Sequence, residues 1–350
     1  MGKLIYKDSA LIGLDINTTE VKVMSIDPQK KLVQGYGAID VDARSMRKVF
    51  DSGDSYLSTK LKALFSEKIV GKITGDNVVV GLPTSRTYAR TFTLPRSAEK
   101  DIKEAVELEV EQYVPIPVSL LYVDYEVIAR TKEELTVIVS AVPRTIVDHI
   151  LDAVTSMGFT TVAVEPSINS VARLLRNTEE GNLPTLIVDI GPANTDIAVL
   201  DGSIRVTGGA TVGGNTFTLD IAKKLGVALE NAHQLKVLNG LNPGPRQKKI
   251  AATVEPSLQR ITSETRRVIR YYNERISKDT KLEQLLIVGG GSNMPGIGEY
   301  FTNDLLMPSR VASPWQEINF GSLTPPVKQF RSRYITVAGL ASLSLEEVWK

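Results

Sequence analysis

The 350-residue chain has no cysteine and only two histidines, His149 and His233. Without thiols there is no disulfide framework, no thiolate metal centre and no cysteine nucleophile, and so few histidines argue against a histidine-rich metal site. The absence of cysteine fits the cytoplasm. Long apolar runs are missing too. Leu135 to Val142 covers eight residues and includes Thr136 and Ser140, well short of the roughly 18 that span a bilayer, so it predicts a strand and no transmembrane insertion. Asp8 and Asp15 interrupt the chain after Lys3 and Lys7, before a signal-peptide stretch accumulates, and Tyr6 breaks a myristoylation pattern after Met1-Gly2. Charge of one sign is also scarce. Lys+Arg of 41 against Asp+Glu of 40 leaves +1, which gives no global field for nucleic acid or an anionic membrane. Arg266, Arg267, Arg270 and Arg275 share a predicted long helix with an apolar face of Leu258, Ile261, Val268, Ile269, Tyr272 and Ile276. That basic face lacks a stacking platform and reads as solvated, so no nucleic-acid partner is expected.

What is present is ordinary globular composition, 42% hydrophobic and 23% charged, a length that suggests about two domains at roughly 150 residues each, and an internal repeat. Residues 11–23 read as an apolar strand, Asp15, a small polar turn of Asn17, Thr18 and Thr19, then the alternating Val21, Lys22 and Val23 of a second strand. Residues 186–199 repeat that grammar with Asp189, Gly191, Asn194, Thr195 and Asp196. Two similar α/β halves follow from the repeat. Small residues let the main chain approach an anion, backbone N–H groups form a cradle, and an Asp at the strand end can hold Mg²⁺ through water. Either hairpin alone could be an ordinary one with an Asx turn; the repetition favours phosphate. A third segment, Leu285 to Ile297, is a buried strand running into Gly289, Gly290 and Gly291, a place where backbone can lie against a planar ligand. Gly213, Gly214 and Asn215 precede a predicted helix over 216–225 that Gly226 ends.

The order of these motifs resembles the actin-like ATPase superfamily. The details Leu14-Asp15-Ile, Val188-Asp189-Ile-Gly191 with Thr195-Asp196, Glu165-Pro166, Gly213-Gly214-Asn215 and Val337-Ala338-Gly339-Leu340-Ala341 resemble the PilM family of type IV pilus assembly, a relative of FtsA. So does the region from Phe92-Thr-Leu94-Pro95 through a charged helix to Val114-Pro115-Ile116-Pro117 and Val123-Asp124-Tyr125. The resemblance covers nearly the whole chain. It implies an α/β fold of two related ribonuclease-H-like halves around a nucleotide cleft. Residues 1–80 would form the first half, subdomain 1A, completed by 161–183 and 336–350. Residues 81–160 would be an inserted α+β subdomain, 1C, and 184–335 the second half, 2A, with 2B at about 221–283.

The insert also reads on its own residues. Ser97 is a predicted cap for a helix with Ile102, Val106, Val110 and Tyr113 at three- and four-residue steps, stopped by Pro115 and Pro117. Strands over 123–129 and 135–140 follow, then a helix capped by Thr145 with Ile146, Ile150, Val154 and Met157 on one face. No catalytic group stands out in it, so it is the expected docking surface.

The resemblance carries over an ATP and Mg²⁺ site. Asp15 and Asp189 would be the Mg²⁺-side carboxylates. Asn17, Thr18, Thr19 and Lys22 would follow the phosphates in the first loop, and Gly191, Asn194 and Thr195 in the second. Gly213, Gly214, Asn215, Lys236, Gly289, Gly290, Gly291, Ser292 and Asn293 complete the nucleotide set, and Glu165 is the candidate catalytic carboxylate, at most for a weak ATPase. Two positions depart from the pattern: Asn17-Thr18 stands where Gly-Ser is usual, and His233 where a Glu is expected near Lys236. The expected function is a cytoplasmic ATP-binding scaffold, peripheral to the inner membrane through the cytoplasmic N-terminal tail of a PilN-like membrane protein and other pilus inner-membrane components. Self-association is left open. The alternatives are an FtsA-like division filament, disfavoured by a short acidic tail over 342–350 where an amphipathic anchor is expected, and a small-molecule kinase of the same fold.

Overall fold

The computed structural model describes residues 10–178, 183–242, 244–277, 280–316 and 318–344; the final six residues of the tail used above against a division filament lie outside them. The chain divides into two compact units, one of 1–174, 317–325 and 336–350, the other of 175–316 and 326–335.

In chain order the first unit contains β1 (Leu11–Ile16), β2 (Glu20–Asp27), β3 (Leu32–Asp40), α1 (Ala43–Ser52), α2 (Tyr56–Glu67), β4 (Ile69–Gly71), β5 (Asn77–Leu82), β6 (Tyr88–Pro95), α3 (Ile102–Tyr113), β7 (Leu121–Arg130), β8 (Glu134–Pro143), α4 (Arg144–Thr155) and β9 (Thr160–Pro166), followed by α5 (Ser167–Thr178). Its main sheet has the order β4-β3-β2-β1-β5-β9. β1 pairs antiparallel with β2 and parallel with β5. β1 and β5 are buried along their whole length, as strands covered on both faces should be. One face packs on α1, α2 and α4 through Met46, Phe50, Leu57, Leu61, Ile150 and Val154; each such side chain contributes about 1.5–3 kcal/mol by leaving water. On the other face Leu11 and Val79 meet Leu340 and Leu343.

The second unit contains β10 (Thr185–Ile190), β11 (Thr195–Asp201), β12 (Ser203–Ala210), α6 (Gly214–Leu225), α7 (Leu229–Asn239), α8 (Pro245–Arg275), β13 (Gln284–Val288), α9 (Ile297–Leu305), β14 (Ser309–Val311) and α10 (Lys328–Arg331). Most of α11 (Ile335–Ala341) returns to the first unit. The second sheet runs β12-β11-β10-β13-β14. Leaving aside the short β4, the two sheets share one topology: an antiparallel meander of three strands, then two strands added in parallel beside the first. The repeated hairpins are therefore the centres of two repeated halves.

The insert builds its own sheet, β6-β8-β7, over a core of Leu94, Val106, Val110, Leu135, Val137 and Val139. It differs from the sequence expectation in two respects. α4 does not cover this sheet: Ile146, Ile150 and Val154 belong to the core with α1 and α2. Helical periodicity says that one face is buried, not what buries it. Ser97 caps nothing either, because Arg96–Asp101 is a 3₁₀ segment and α3 starts at Ile102; Thr145 likewise lies inside α4, which begins at Arg144.

Candidate nucleotide site

The first hairpin places Asp15 opposite Lys22 across the β1–β2 ladder. The Lys22 ammonium lies 2.8 Å from Asp15 Oδ2 and 2.8 Å from Glu20 Oε1. Ser167 Oγ donates to Asp15 Oδ1 at 3.0 Å. Asp15, Glu20 and Lys22 are all buried. Burial alone would lower the Lys22 pKa; the Asp15 and Glu20 charges outweigh it and hold the ammonium above its ordinary range. Asn17 shapes the turn, its Oδ1 accepting from Thr18 N at 2.7 Å and its own N donating to Glu20 O at 3.0 Å. Thr19 Oγ1 is buried with no hydrogen-bond partner among the described residues.

Glu165 ends β9. It forms a two-point ion pair with Arg173, at 2.9 and 2.5 Å, and Arg173 also donates to the Gly339 carbonyl at 3.0 Å. Both side chains are largely buried. A carboxylate held this way serves the packing of β9, α5 and α11.

The second hairpin has the same register with different chemistry. Asp189 pairs with Asp196 where the first hairpin pairs Asp15 with Lys22. Gly191 N donates to Asn194 O at 2.9 Å and closes the turn. Thr195 Oγ1 faces inward and donates to Val212 O at 2.8 Å. Carbonyls of the turn then receive the start of α6, with Gly214 N on Gly191 O at 2.9 Å and Asn215 N on Pro192 O at 2.8 Å. Gly213 has to be glycine, because a side chain there would overlap the Pro192 carbonyl. In the glycine turn, Gly289 takes φ +81° beside the Asp189 carboxylate, Gly291 lies against Ile190, and Gly290 faces open space. Ser292 Oγ donates to Gly289 O at 2.7 Å and Asn293 Nδ2 to Gln329 O at 2.6 Å, so these two hold the turn.

Lys236, on α7, reaches into this cluster. Its ammonium donates to Gly214 O at 2.8 Å and to Thr218 Oγ1 at 2.9 Å. The residue is 5% exposed, and among the described residues no carboxylate pairs with it. Burial pushes its pKa down to about 8. Burial and then the Lys236 charge also push His233 below its ordinary value. An ammonium has three protons to donate and two are engaged. It stands, moreover, at the positive end of the α6 dipole. A buried cation there, beside glycines that leave the backbone bare, fits an anion. Among the described residues no group of three or more His, Asp or Glu is arranged to hold a metal alone, and Asp15 already accepts from Lys22 and Ser167.

The sequence picked out Asp15 and Lys22 but not their partners Glu20 and Ser167, nor Thr218 beside Lys236. Two of these carried a signal. Glu20 is two residues from Lys22 and shares its strand face, and Thr218 is four from Gly214 on α6.

The family described as type IV pilus assembly protein PilM matches residues 13–344. The chain belongs to the PilM family. A solved PilM–PilN type IV pilus biogenesis complex is similar over 97% of this chain and 99% of that one, at 21% identity and a TM-score of 0.80. MreB5 of Spiroplasma citri bound to AMPPNP is similar over 95% of this chain and 94% of its own, at 16% identity and a TM-score of 0.56. These likenesses establish the actin-like fold for this PilM-family chain. FtsA of Borreliella burgdorferi is 26% identical over 156 residues, 39% of this chain; the match spans 38% of that protein's length.

Proposed function

We propose that this chain is a nucleotide-binding scaffold of the type IV pilus assembly machinery, on the cytoplasmic side of the inner membrane. Its partner is the N-terminal tail of a PilN-like membrane protein. The observation that carries nucleotide binding is Lys236, a buried ammonium with one undirected proton among Gly214, Gly291 and the start of α6. Lys236, Asn215 and the glycine turn would hold ATP, with Asp189 towards Mg²⁺; the metal would supply charge neutralisation for the phosphates. Glu165 has a smaller claim to catalysis, being tied to Arg173.

The insert suits a tail. Its three-stranded sheet has outer strands β6 and β7, and Leu120 and Tyr122, where β7 begins, are 57% and 40% exposed. An extended peptide can add to such an edge and place alternate apolar side chains on the exposed ones. Pull-down with a PilN-like N-terminal tail, with and without Mg-ATP, tests the partner, and no capture in either condition overturns it. Calorimetry of Mg-ATP on the wild type and Asp189→Ala tests the cofactor, with weaker binding expected in the variant.

A further inference from the structure

We propose that Lys236 is a nucleophile for small acyl phosphates, which acylate its amine at the phosphate end of the nucleotide site, and that bound nucleotide blocks the reaction. The inference rests on the nucleotide reading above. It is carried by the hydrogen bonds of the side chain. Nζ donates to Gly214 O at 2.8 Å and to Thr218 Oγ1 at 2.9 Å. Neither acceptor can return a proton: Gly214 O is a carbonyl, and the Thr218 hydroxyl donates its own proton to that carbonyl at 3.0 Å. A neutral amine therefore keeps both bonds with its two protons and leaves its lone pair in the third direction, where neither acceptor stands.

Room for a donor comes from two glycines. A β-carbon on Gly214 would lie 3.5 Å from Nζ and 3.4 Å from the Gly291 α-carbon, so the backbone is bare beside the amine. Lys236 is otherwise buried, and an acyl donor whose leaving group is phosphate matches the anion that this cradle suits. Burial also supplies the reactive form, because taking the ammonium out of water favours the free amine. With its pKa pushed down to about 8, about a quarter of Lys236 is unprotonated at pH 7.5, against about one in a thousand for an ordinary lysine. The titratable group beside it is His233, one turn earlier on α7, which the Lys236 charge holds towards its neutral form; among the described residues neither α6 nor the glycine turn pairs a charged group with it. In the step, Nζ bonds to the acyl carbon, the bond from that carbon to the phosphate oxygen breaks, and the proton lost by nitrogen leaves with the phosphate. The product is an uncharged amide, which no longer attracts a nucleotide phosphate.

The test is incubation of the full-length protein with acetyl phosphate at pH 7.5, with and without Mg-ATP, each lysine being followed by peptide mass spectrometry. Calorimetry on the untreated protein reads Mg-ATP binding separately. Lys236 should react about tenfold faster than Lys223 and Lys224, which are exposed on α6, since its larger share of free amine outweighs the weaker nucleophilicity of a less basic nitrogen. Mg-ATP should suppress the reaction at Lys236 alone. A rate at Lys236 no higher than at those two, or undiminished by Mg-ATP that calorimetry shows to bind, overturns the proposal and leaves the nucleotide reading standing. N-hydroxysuccinimidyl acetate, a donor without phosphate, is the comparison: an equal preference for Lys236 would mean that phosphate plays no part, which also overturns the proposal. If Mg-ATP does not bind at all, both readings fall.

Discussion

Lys236 donates to the carbonyl oxygen of Gly214 at 2.8 Å, which ties a buried cation on one helix to the first residue of another. The cost of burying that charge is visible in its lowered pKa of about 8. Between that value and the ordinary lysine range, the unfolded chain binds more protons than the folded one, so the contribution of this residue to stability rises with pH there. Lys236→Met should remove that rise. At pH 7 it should be more stable than the wild type by about 1–2 kcal/mol, after the loss of two hydrogen bonds is subtracted, while binding ATP more weakly. Denaturant melts of both proteins at pH 7 and pH 10 measure the difference.

The Glu165–Arg173 pair gives the opposite pattern. Arg173→Met leaves a largely buried carboxylate without its partner and should cost about 3 kcal/mol. Glu165→Leu combined with Arg173→Met should recover most of it. Chemical denaturation of the two single variants and the double variant closes the cycle; additive losses would show that the pair does not act as a unit.

Glycines of the second unit separate a cradle from open space. Gly291→Ala drives a methyl into Ile190 and should destabilise by about 2 kcal/mol, whereas Gly290→Ala meets nothing within 4 Å and should melt close to the wild type. If Gly290→Ala nonetheless weakens ATP binding without moving the melting temperature, the bare backbone at that point contacts the ligand.

In the first unit, Gly339 lies against the Ser170 carbonyl, where a β-carbon would overlap. Gly339→Ala should cost about 3 kcal/mol by forcing α11 from α5. Gly226→Ala is the control: φ is +65° and nothing lies within 4 Å, so the cost is about 1 kcal/mol of backbone strain. Thermal melts rank the two.

Much of this was legible in the residues. The two hairpins announced the repeated halves because an apolar strand, an Asp and a small polar turn recur with the same ladder register. Lys236 could be named from a motif, but that its charge is buried with no carboxylate on it among the described residues depends on where α7 meets α6, and no local pattern reports that. The loop pattern points to Thr195 as a phosphate hydroxyl, yet its side chain faces inward onto Val212; a threonine at a strand start suits a turn or a core face equally well. The destination of α4 stayed hidden for the same reason, since its apolar face would fit either sheet.

The closing role of α11 has a consequence for how the protein is made. Gly13 on β1 packs directly beneath α11, with the Ala341 amide 2.7 Å from where a β-carbon would be, while residues 317–325 and 336–350 complete the first unit. On the ribosome, β1 therefore emerges before the second unit yet cannot be covered until α11, some three hundred residues later, has followed it. That face of the sheet, with Leu11 and Val79, waits for Leu340 and Leu343, and that interval is when a chaperone has the most apolar surface to hold.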